Sequence, residues 1–64
     1  MPYKNALELA RAVQEAAILA ALQGYENAAI SGLCHEGAWE AAISAIRMMD
    51  LDALVAGELT QVGQ

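Results

Sequence analysis

The chain has 64 residues and a formal net charge of -5, with 58% hydrophobic residues, no Phe, one Trp and two Tyr. Three positive side chains, Lys4, Arg11 and Arg47, cannot build the basic patch that nucleic acid or an anionic membrane surface requires. Cys34 is the single cysteine, so no disulfide forms within the chain, and a domain this small usually needs a metal or a partner subunit to complete its core. No basic stretch followed by an apolar run opens the chain, and a soluble cytoplasmic protein is the expectation.

Pro2 fits at or before a first helical turn, since it has no N–H to donate. Nearly every residue from Lys4 to Ser31 is a good helix former. Lys4, Glu8, Arg11 and Glu15 follow at spacings of three and four and make an alternating-sign ladder on one face. Opposite them lie Leu9, Val13, Ala16, Ala17 and Ala20, which makes this half amphipathic. The ladder then stops. Ala16 to Leu22 is apolar all round, and Ile18, Leu19 and Leu22 continue the face that carried the charges. One short helix of the same chain cannot cover every side of such a girdle, so a second copy is the expected cover.

Two glycines compete to end the first helix. Gly32 would place Leu33 for the usual hydrophobic return contact, and Gly37 would place His35 beside the negative helix end. No turn-forming residue follows Gly32 directly, which favours Gly37 and a first helix over about residues 4–35. Such a helix is roughly 45–50 Å long at a rise of 1.5 Å per residue. The short connection then makes the second helix, about 38–49, an antiparallel neighbour. Its apolar stripe is Trp39, Ala42, Ile43, Ile46 and Met49, with Glu36, Glu40, Ser44 and Arg47 wet. Asp50 or Asp52 caps a third helix, about 52–59, with Leu51, Leu54, Val55 and Leu59 inward and Gly57 weakening it. Residues 60–64 read as a frayed tail. The fold class is therefore all-α: a long helix, an antiparallel second helix and a short C-terminal helix in one domain over 1–64, assembling as a homo-oligomeric bundle.

Chemistry-bearing residues cluster at the expected turn. Cys34, His35 and Glu36 are all metal-capable, but helix neighbours point about 100° apart and cannot share one ion from an unbroken helix. Zinc sites use spacings such as Cys-x2-Cys or His-x3-His, which this sequence lacks. With Glu40 and ligands from a second chain, these residues could still hold zinc or another transition metal. Cys34 beside His35 also resembles a thiolate–imidazole pair, although adjacent residues rarely meet in the geometry that nucleophile and base require. The plainer readings are a small apolar cysteine at the hairpin end and a solvated acidic face at Glu36 and Glu40.

Trp39 has two compatible roles, core anchor of the hairpin and partner hot spot. Met48 and Met49 are adjacent and cannot both face one core, so one of them belongs to a second contact surface. Tyr3 and Tyr25 fit the edge of an interface, with wet hydroxyls.

Gly37, Trp39, Ala42, Ile46 and Met49 give the stretch 29–49 a pattern that resembles one tetratricopeptide-repeat hairpin. The resemblance covers about a third of the chain and departs at Glu26, near which the family's first helix carries its signature Trp. It implies an antiparallel hairpin closed over a small residue and, in arrays, peptide binding. There is no second repeat to form an array.

The function expected from the residues is a small oligomerisation or protein-interaction module, an accessory or regulatory subunit with no catalytic activity of its own. A dimer is favoured, with a protein partner as the other prospect, and neither nucleic acid nor membrane is expected. Interface residues are Val13, Ala17, Ile18, Leu19, Leu22, Trp39 and Met48. The alternative is a metal- or cofactor-binding bundle using Cys34, His35 and carboxylates across a subunit interface.

Overall fold

A computed structural model describes residues 2–58, with three helices in chain order: α1 (Ala6–Ile30), α2 (His35–Arg47) and α3 (Leu51–Ala56). Among the described residues all regular structure is helical.

α1 starts where a side chain can satisfy its first free N–H groups. Asn5 is extended and its Oδ1 accepts from the backbone N–H of Glu8 at 2.8 Å. Glu8 reaches back, its Oε1 accepting from the backbone N–H of Lys4 at 2.9 Å. Lys4 therefore lies outside the helix, and Glu8, expected as a rung of the charge ladder, serves in the cap.

The end of α1 corrects the expected boundary. The helix stops at Ile30, five residues before the expected 35, and Gly32 makes the turn at φ +94°. Leu33 N–H donates to the Ala28 carbonyl and Gly32 N–H to the Ala29 carbonyl, each at 3.0 Å. This Schellman pair needs a left-handed residue at Gly32, where glycine has no Cβ to strain. The signal weighed against Gly32, the missing turn residue after it, carried no force because the motif closes with backbone bonds alone.

Gly37 accordingly sits inside the first turn of α2, which begins at His35 and not at 38. Cys34 holds the N-cap position without a side-chain capping bond, and its carbonyl accepts from Ala38 N–H at 2.9 Å. α2 ends at Arg47, two residues before the expected 49. Asp50 caps α3, its Oδ1 accepting from Ala53 N–H at 3.0 Å. α3 ends at Gly57, φ +76°, with the same pair of closing bonds, from Gly57 to Leu54 and from Glu58 to Ala53. Gly57 thus terminates the helix instead of weakening its interior. Leu59 and the tail 60–64 lie outside the described residues.

α1 packs on α2 and on α3. The α1–α2 seam is made of the smallest side chains: Ala16, Ala20 and Ala28 are buried on α1, Ala38 and Ala42 on α2. A Cβ placed on Gly24 would stand 2.9 Å from the Ala41 carbonyl oxygen and 2.9 Å from the Ala45 Cβ. Two backbones approach this closely only where side chains are absent or a single methyl. Ala16 and Ala20 line a groove with Met48 and Met49, whereas Tyr25 meets His35. Rising numbers on α2 thus pair with falling numbers on α1, and the hairpin is antiparallel.

α3 supplies Leu54, at 3% exposure the one large apolar side chain buried among the described residues. The Tyr3 hydroxyl donates to the Leu54 carbonyl at 2.5 Å, and a Cβ on Gly57 would meet Pro2 at 2.7 Å. The segment before α1 is therefore strapped across α3. The principal extents are 42, 20 and 13 Å. The thinnest is about one helix diameter of ~10–12 Å, so the protein is a single layer with two broad faces.

Candidate functional site

A seam of small residues sends the large ones elsewhere. Trp39, expected as the core anchor of α2, is 56% exposed. Ile43 and Ile46, placed on the same inner stripe, are exposed too, and of that stripe Ala42 alone is fully buried. The correction has a geometric cause: with Gly24 against Ala41, Ala42 and Ala45, no room remains at the seam for an indole or a branched side chain. Leu51 and Val55, expected inward on α3, are also exposed.

The exposed side chains sort onto the two faces. Ala21, Leu22 and Tyr25 of α1 line one shallow groove with His35, Trp39 and Ala42 of α2. Ile18 lies one turn before Leu22, and Ile43 and Ile46 follow Trp39 by four and seven residues, so all three extend this face. Its middle is apolar: Ile18, Leu22, Trp39, Ile43 and Ile46 are each at least 40% exposed. A contiguous exposed patch of this kind marks an interaction surface more often than solvated decoration.

The girdle expected as one interface is divided between the faces. Leu19 stands about 100° around α1 from Ile18 and borders the outer stripe of Glu8, Glu15 and Glu26, which Leu22 borders from its other side. Met48, 81% exposed, borders the groove on the second face, together with Gln23, Asn27 and Ala45. Val13 and Ala17 are half-buried on the inner side of α1. A single flat contact therefore covers Leu22 and Trp39, with Ile18 beside them, and leaves Met48 on the far side.

The residues with chemistry sit at the turn end. Cys34 is free and exposed. His35 is taken up by Tyr25: the hydroxyl and the imidazole Nδ1 are 2.8 Å apart, with the rings edge-on at 5.8 Å between centroids. Glu36 and Glu40 are exposed along the outer side of α2. Among the described residues no group of three or more His, Cys, Asp or Glu could hold a metal ion, so a metal site would take ligands from another chain. Tyr25 was not expected as a partner of His35. Its register becomes readable once the turn is fixed at Gly32, because the hairpin then folds residue 25 back onto the start of α2.

No family model, curated protein or solved structure matches the chain. No helix among the described residues is long and apolar enough to cross a membrane.

Proposed function

We propose that this chain is a small helical oligomerisation module, an accessory or regulatory subunit that acts by presenting its apolar broad face to another protein chain, with no catalytic activity of its own. The observation that carries the reading is the inverted distribution of side chains. Alanine and glycine fill the internal seam, while Ile18, Leu22, Trp39, Ile43 and Ile46 stand in solvent on one face. Apolar surface removed from water stabilises by roughly 25 cal/mol per Å2, and a lone hairpin leaves most of that stabilisation unrealised. Trp39 belongs to this patch, and a tryptophan among aliphatic neighbours is the usual composition of an interface hot spot.

Sedimentation velocity at micromolar concentration tests the reading. The expected species has the mass of two or more chains. Leu22→Glu is expected to yield the single chain with its helices retained, because a carboxylate at the centre of a dry interface cannot be solvated. A wild-type protein that is a well-folded monomer at this concentration would overturn the proposal.

A further inference from the structure

We infer that the apolar broad face is covered by a second copy of this chain in an antiparallel, two-fold arrangement, with the two α2 helices running against each other about an axis close to Ile43. The inference rests on the oligomerisation reading and specifies the partner and its orientation.

Three observations lead to it. The first is size. The broad face measures 42 by 20 Å, a footprint of about 840 Å2. A stable interface takes about 800 Å2 from each partner, so the contact has to use nearly the whole of this face, for which a second copy of the same outline is the partner of matching size.

The second is the charge pattern on the outer side of α2. Glu36, Glu40, Ile43 and Arg47 follow at spacings of four, three and four and share one stripe beside Trp39. Glu40, Ile43, Ser44 and Arg47 border a common depression with Trp39. From its N-terminal end the stripe runs from negative through apolar to positive. Reversed against itself, it sets Glu40 opposite the partner copy's arginine and Arg47 opposite the partner copy's glutamate, with the apolar position at the centre. This is the self-complementarity that an isologous contact requires, in which each pair occurs twice. Within α2, Arg47 has Ser44 and Ile43 at the positions three and four residues back, so it lacks a helical carboxylate partner there.

The third is where the excess negative charge lies. Two copies at -5 each would repel if their acids faced one another. Glu8, Glu15 and Glu26 follow one exposed stripe along the outer edge of α1, the side turned away from α2, and none of them lines the groove between the helices. The associating face thus has an apolar middle, with the acids of α1 at its outer edge and, along α2, a rim that balances its charges with a reversed copy.

Glu40→Arg and Arg47→Glu, alone and mixed, test the geometry. Both positions are exposed on a helix, and unchanged helicity by circular dichroism verifies that each variant folds. In the two-fold arrangement each single variant places like charges opposite one another twice. Its dimer Kd is expected to rise about tenfold, since each exposed pair contributes up to ~1 kcal/mol. An equimolar mixture restores both opposite-charge pairs. Native mass spectrometry is therefore expected to show the heterodimer well above the 1:2:1 statistical proportion, with the excess shrinking as salt screens the pairs. A wild-type dimer whose variants associate normally and mix statistically would overturn the antiparallel geometry and leave the oligomerisation reading standing. A wild-type monomer would remove both.

Discussion

Gly24→Ala has a sign that separates seam packing from helix propensity. Gly24 lies within α1, so propensity alone makes alanine more stable there by about 1 kcal/mol. The seam opposes it. The added methyl would stand 2.9 Å from the Ala41 carbonyl oxygen, 2.9 Å from the Ala45 Cβ and 3.2 Å from the Ala42 Cα. Carbon contacts are comfortable at about 3.5 Å and beyond, so α2 must retreat by about 0.6 Å. Two of the three obstacles are backbone atoms, and no rotamer change moves them. Overpacking of this kind costs about 1–3 kcal/mol, which leaves Gly24→Ala destabilising by up to about 2 kcal/mol. Gly37→Ala is the internal control. It is also helical, but its new methyl meets the flexible Leu33 side chain, nearest at 3.1 Å. That variant is expected to gain about 0.5–1 kcal/mol. Urea unfolding followed by circular dichroism, at one fixed protein concentration so that association does not enter, reads both numbers. Equal stabilisation by the two substitutions would refute the close seam at Gly24.

Gly32→Ala is expected to destabilise by about 1–2 kcal/mol by the same assay, with the cause purely in the backbone, since nothing lies within 4 Å of the new methyl and φ is +94°. Leu54→Ala removes the large core side chain of α3 and is expected to cost about 2–3 kcal/mol, with limited proteolysis cutting first between α2 and α3; an unchanged cutting pattern would mean that α3 is not docked through Leu54. Stability in EDTA is expected to equal that in buffer; a fall in Tm that added zinc reverses would instead support ligands shared across subunits at Cys34 and His35.

Much of the fold was legible in the residues. The Asp50 cap, the antiparallel hairpin and the short third helix follow from local chemistry, whereas the Asn5 cap was missed and the first helix begun at about residue 4. The errors in burial share one origin. Hydrophobic periodicity assigns the largest apolar residues to the inside, and Trp39, Ile43 and Ile46 were placed there on that ground. The hairpin follows a different rule, in which Gly24 and the alanines set the approach distance and the larger side chains are displaced to the broad faces. Periodicity finds an apolar stripe but does not tell whether a neighbouring helix or a separate chain covers it. The split of the 16–22 girdle, with Ala16 and Ala20 lining one groove and Ala21 and Leu22 the other, depends on where α2 docks, which the choice of Gly32 over Gly37 decides. The exposed apolar face was therefore partly readable as composition and hardly at all as geometry.

The small-residue seam also has a calorimetric consequence. The heat capacity change of unfolding follows the apolar area exposed, at about 12–15 cal/mol/K per residue for ordinary domains, or about 0.8–1.0 kcal/mol/K for 64 residues. Methyl groups and bare α-carbons contribute little to that area. An isolated hairpin would fall below this range and melt over a broad interval with a shallow stability curve. The curvature typical of a globular domain would enter only with the burial of Trp39 and its aliphatic neighbours, so the heat capacity itself would rise with protein concentration.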